Sequence, residues 1–306
     1  MTRILFVIAV ILICSSLCFA QQEADTAFIG VIENPTYEAG SGPVVMIDEA
    51  HHNFHTAEGR FLPFAELLRR DGYTVRRYAA RFTLDSLKTG DILVISNALN
   101  ERNVEDWSLP TPSAFDAEEI EAVRQWVEGG GALFLIADHM PFPGAAQDLA
   151  GAFGVMLNNG FALDTLKRSP DFFRRSDGTL REHTITGFAD DPHRIDSVVT
   201  FTGQAFQVDN KAFEPLLIFD SGYVSLMPVE AWEFDSTTTI APIEGWFQGG
   251  VLEFGKGRVA VFGEAAEFTA QIAGEERMKF GMNSPYAGQN LPFLLNIFRW
   301  LSRHGQ

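Results

Sequence analysis

Residues 44–56 read Val44-Val45-Met46-Ile47-Asp48-Glu49-Ala50-His51-His52-Asn53-Phe54-His55-Thr56. The first four are apolar without alternation, and Pro43 precedes them. Such a run suits a strand buried on both faces, as in a parallel sheet. The polar, histidine-rich stretch then leaves that strand at its carboxyl end.

Working outward, Phe61, Phe64, Ala65, Leu67 and Leu68 recur at helical spacing until Asp71-Gly72. Thr74 to Tyr78 alternates like an edge strand, and Ile92 to Ile95 is a second buried run. Asp116 to Glu128 predicts a helix with Ile120, Val123, Trp126 and Val127 on one face. Gly129-Gly130-Gly131 follows it and precedes the strand Ala132 to Ala137, so it reads as a helix terminus rather than a phosphate loop. This alternation is the grammar of a parallel sheet covered by helices. Further strands are expected at Ser197–Thr202 and Leu216–Phe219. A hairpin is expected around Gly255-Lys256-Gly257, and a last helix over Leu291–Leu301. Residues 155–215, with Pro170, Pro192 and many charges, read as an irregular elaboration.

The chain has 306 residues, with 23 Lys+Arg against 40 Asp+Glu and a formal charge of −17. That excess excludes a general nucleic-acid or anionic-membrane binder, since both partners are polyanions. Cys14 and Cys18 are the only cysteines. Both fall within residues 1–20, where Arg3, the apolar run Ile4–Ile13 and Cys18-Phe19-Ala20 predict a secretory signal peptide. The expectation is export to the periplasm or beyond, with no stable membrane span after cleavage. A retained anchor is disfavoured because the run falls short of the roughly 20 residues a span needs. A lipid anchor is disfavoured because Ile13 and Leu17, not small residues, precede the cysteines. The exported part then has no thiol for a disulfide, a nucleophile or a metal. Residues 21–42 read as an arm and 43–303 as the domain.

In an open parallel sheet, ligands bind at the carboxyl ends of the strands. Three such ends carry imidazoles or carboxylates: Asp48 to His55, Asp138-His139, and Glu264. These side chains either hold a divalent metal or run acid–base chemistry near neutral pH. Asp48, His51 and His55 are the metal-ligating candidates. Glu49, Asp138, His139 and Glu264 are the catalytic candidates. Structural roles stand beside these: Asp48 bracing its loop, Asp138-His139 as a turn, and Glu264 as a helix cap.

The segments IDEAHHNFHT (47–56), GRFLPFAELLRRDGYTV (59–75), GGGALFLIADHMPFPGAA (129–146), TFTGQAF (200–206) and GKGRVAVFGEAAEF (255–268) are quoted together for one reason. Across residues 43–303 the chain is similar to an uncharacterised domain family of the class I glutamine amidotransferase-like superfamily, near the ThuA-like proteins. The resemblance implies a flavodoxin-like three-layer α/β/α sandwich with a mostly parallel sheet. It does not bring amidotransferase chemistry, which needs a cysteine on a strand-to-helix elbow.

The leading expectation is an exported hydrolase of a small polar or carbohydrate-like substrate, acting with a divalent metal or by acid–base chemistry. The alternatives are a non-catalytic carbohydrate- or peptide-binding module and an envelope scaffold. Converging free side chains favour catalysis, separately satisfied ones favour a scaffold, and an aromatic wall beside them favours sugar binding.

Overall fold

The computed structural model describes residues 22–166 and 169–305. The expected signal peptide, with both cysteines, lies outside the described residues. Nine strands form the main sheet: β1 (Val44–Asp48), β2 (Thr74–Tyr78), β3 (Ile92–Ser96), β4 (Ala132–Ile136), β5 (Val155–Leu157), β6 (Phe206–Val208), β7 (Phe213–Ile218), β8 (Phe247–Phe254) and β9 (Gly257–Phe262). The helices are α1 (Leu62–Arg70), α2 (Leu84–Leu87), α3 (Ala117–Glu128), α4 (Phe142–Gly151) and α5 (Asn290–Leu301).

The sheet runs β2-β1-β3-β4-β9-β8-β6-β5, with β7 also paired to β8. The first five strands pair in parallel and the remainder antiparallel. The protein is therefore of α/β class with a mixed sheet. Alternate residues of the central strands feed two cores. Val45, Ile47, Val94 and Phe134 pack with α1 and α5. Met46, Leu93, Ile95 and Leu135 pack with α3 and α4.

Residues 155–215 are more regular than their composition suggests, since β5 and β6 extend the main sheet and Asp171–Arg174 pairs with Ser197–Thr200. Phe161–Asp164, Tyr223–Met227 and Thr239–Pro242 form a separate small sheet. The arm is tied down: Glu23–Ala24 pairs with Ala270–Ala273, and Thr36 hydrogen-bonds the Asp71 carboxylate at 2.7 and 2.8 Å. The β8–β9 hairpin approaches α3 so closely that a Cβ on Gly257 would lie 2.0 Å from the Val127 carbonyl oxygen. Among the described residues, no helix is long and apolar enough to cross a membrane.

Helix α3 starts with a capping box. Asp116 accepts from the Glu118 and Glu119 N–H groups, and Glu119 accepts in return from the Asp116 N–H. Asp116→Ala is expected to lower stability by about 1–2 kcal/mol in a urea melt.

Candidate functional site

The loop after β1 is locked by a buried charge cluster. Asp48 ends β1 and is fully buried. His51 Nδ1 donates to both Asp48 oxygens, at 2.8 and 3.0 Å. His51 Nε2 donates to Glu119 Oε1 at 3.1 Å. That same oxygen accepts the Phe82 N–H at 3.0 Å. The imidazole sits between Phe82 and Phe115, with ring centroids 4.5 and 4.7 Å away. Both ring nitrogens thus face carboxylates, an arrangement that only the doubly protonated ring satisfies. Burial alone lowers the His51 pKa, but Asp48 and Glu119 outweigh it and hold the ring above its ordinary value. Burial raises the Asp48 carboxyl, opposed by His51 and the Ala50 N–H.

The expected metal set is therefore parted. His51 has no lone pair to offer once both nitrogens donate. His55 belongs to a different environment, with Nδ1 3.2 Å from Ser96 Oγ and the ring against Phe54 and Phe61. Burial, aided by the nearby Arg60 charge, pushes His55 down to about 3, so it is a neutral core histidine. Among the described residues no three His, Cys, Asp or Glu side chains are grouped to hold a metal ion. The donors do not fit a metal at Asp48, His51 and His55.

The expected catalytic carboxylates are also engaged. Glu49 accepts the Ala57 N–H at 2.9 Å and pairs with Arg77 at 2.6 Å, bracing the loop. Asp138 follows β4; its oxygens accept the His139 N–H at 2.8 Å and the Ala265 N–H at 3.3 Å. The Asp138 N–H in turn reaches Asn97 Oδ1 at 2.9 Å. Asn97 follows β3 in the left-handed region, φ +54°, which asparagine tolerates better than most residues. Glu264 follows β9 and accepts from the Phe201 and Glu267 N–H groups, at 3.3 and 3.0 Å. Gly203 makes that approach feasible: at φ +130° a Cβ there would lie 2.5 Å from the Gly263 carbonyl oxygen.

Glu267 carries no expectation from the sequence. It is fully buried, and neither carboxylate oxygen has a partner among the described residues. Burial, then the Asp138 charge, pushes both Glu264 and Glu267 well above the usual carboxylate range, and Glu267 adds to the rise at Glu264. Each therefore favours its protonated form.

His139 is different. Its Nδ1 donates to the Met140 carbonyl at 2.8 Å, and Nε2 has no protein partner among the described residues. The ring stacks on Phe161 at 4.6 Å and meets Trp232 edge-on at 4.7 Å. Phe142 and Trp107 follow at 5.8 and 6.2 Å, and Phe54 touches both of these. Phe54, Trp107, His139 and Trp232 are each half-buried. Two loops distant in sequence hold the tryptophans, through the Ala231 N–H to Trp107 carbonyl bond at 3.0 Å. Trp232 itself sits at φ +72°, a strained conformation for a bulky residue and one that clusters at ligand-binding places. Surface concavities lined by Leu84, Glu118 and Gln125 lie against α2 and α3 and hold no member of this group.

No family model matches the chain, and no curated protein matches it in sequence. Solved structures do resemble it. The mmIFT52 N-terminal domain is 14% identical, covers 84% of this chain and 97% of its own, and superposes with a TM-score of 0.58. A ThuA-like protein from Bacteroides uniformis ATCC 8492 is 15% identical over 89% of this chain and 94% of its own, with a TM-score of 0.45. The cytoplasmic protein STM3548 from Salmonella typhimurium is 15% identical over 85% and 98%, also with 0.45. At these identities the likeness is one of fold, and the mmIFT52 domain carries it.

Proposed function

We propose that the protein is an exported, non-catalytic binding module for a ring-shaped polar ligand of carbohydrate type. We also infer that its fold is the flavodoxin-like three-layer sandwich of the class I glutamine amidotransferase-like superfamily, near the ThuA-like proteins. The two cores on opposite faces of the sheet support that assignment, and residues 1–20 support export.

One contrast carries the functional reading. Asp48, Glu49, Asp138 and Glu264 spend their oxygens on protein donors, whereas His139 Nε2 has no partner among the described residues and stands between half-buried Trp107 and Trp232. A general acid or base needs a proton position aimed at substrate. A sugar needs apolar faces for its C–H groups and one or two polar atoms for orientation, which is what the wall offers.

Acid–base hydrolysis is the second reading, and the protonated pair Glu264 and Glu267 favours it. Both side chains are fully buried, so a substrate has no surface on which to meet them.

The test is calorimetric titration with a panel of oligosaccharides, with sugar recovery checked by chromatography. Binding without turnover is expected. Trp107→Ala and Trp232→Ala should each weaken it tenfold or more, about 1.4 kcal/mol, with thermal midpoints showing both variants folded. Cleavage of the bound sugar would overturn the binding-module reading in favour of the hydrolase.

A further inference from the structure

Arg60 stands at the end of the aromatic wall. Its guanidinium lies over the Phe54 ring, 3.8 Å from the centroid, and Phe54 touches Trp107 at 5.8 Å. Its Nη1 makes a long hydrogen bond to the Phe54 carbonyl at 3.4 Å, and Nε is buried without a partner among the described residues. No carboxylate among the described residues pairs with it. Glu49 and Glu58, which precede it in the same loop, both pair with Arg77. In a chain with 40 acidic residues and 23 basic ones, an arginine left without a carboxylate beside a ligand wall is informative.

We propose that Arg60 is a specificity residue that receives a ligand carboxylate, so that the preferred ligand is an acidic sugar of the uronate type. This rests on the binding-module reading above. The planar fork of a guanidinium matches a carboxylate in two-point geometry, and Phe54 holds the fork in place by stacking. The protein's overall negative charge does not prevent this, since salt screens charges beyond about 8–10 Å while a contact pair is screened little.

The experiment compares galacturonate, glucuronate and mannuronate trimers with galactose, glucose and mannose trimers by calorimetry. The proteins are the wild type, Arg60→Gln and Arg60→Lys. Wild type is expected to bind at least one acidic trimer ten times more tightly than its neutral counterpart. Arg60→Gln should erase that advantage while keeping neutral binding, and Arg60→Lys should restore part of it. Equal binding of acidic and neutral trimers by wild type would overturn this proposal and leave the aromatic wall standing. An advantage that survives in Arg60→Gln would overturn it too. No binding of any trimer would remove the parent reading and this one with it.

Discussion

Replacing His51 with alanine is expected to cost about 3–5 kcal/mol of folding stability, the largest effect of any single substitution considered. Removing one partner of a buried ion cluster leaves the others charged and unpaired, and that penalty lies in this range. Here two carboxylates, Asp48 and Glu119, lose their common donor at once. The loop after β1 also loses its bridge to the start of α3. The effect has a defined pH sign. The folded-state pKa of His51 is raised above its ordinary 6.5, so the cluster stabilises fully below that value. Its contribution declines as pH rises through the raised value. Urea melts of wild type and His51→Ala at pH 6 and pH 9 should therefore converge at the alkaline end. A difference under 1 kcal/mol at pH 6 would show that the cluster is dispensable.

The second large effect is in the opposite direction. Glu267→Met is expected to stabilise the protein by about 1–3 kcal/mol at pH 8, the usual cost of a buried polar group without a partner, which an apolar side chain of similar volume does not carry. Glu267 is fully buried and both oxygens lack partners among the described residues, so its ionised form has nothing there to offset desolvation. Its pKa is raised, so wild type is favoured below the ordinary carboxylate value of 4.5 and loses stability as pH rises through the raised value. Wild type and Glu267→Met should thus differ little at pH 4 and diverge as pH increases. Destabilisation by several kcal/mol at pH 8 would mean that those oxygens are engaged in solution.

The central strands were legible because a strand buried on both faces must be apolar throughout, and Val44–Ile47, Ile92–Ile95 and Ala132–Ala137 are. Helix α4 carries no expectation from the sequence: Pro141, Pro143 and Gly144 crowd its start, although proline is well tolerated in a helix's first turn. The first and fourth runs are near neighbours, with only β3 between β1 and β4, and their loops meet through Asn97.

At the carboxyl edge of the sheet, the sequence named side chains but not the partners they meet. His51 and His55 share a loop, yet one is held protonated by two carboxylates and the other is neutral in the core. Local spacing cannot express that difference: His51 meets Glu119 from the distant helix α3, whereas burial and the nearby Arg60 charge hold His55 neutral. The Asp116-x-x-Glu119 pattern announced a helix cap, but not the reach of Glu119 to His51. Trp107 and Trp232 gave no signal at all. Each sits alone in a loop, and only tertiary pairing sets them on either side of His139.

The most direct measurement is an NMR titration that watches the five tryptophan indole N–H signals and the sugar signals in the same samples. The account predicts that the Trp107 and Trp232 signals, assigned by single Trp→Phe variants, shift on adding a uronate trimer. Those of Trp126, Trp246 and Trp300 should stay in place, and the trimer should remain intact over a day. Shifts confined to the other three indoles, or conversion of the trimer to shorter sugars, would contradict it.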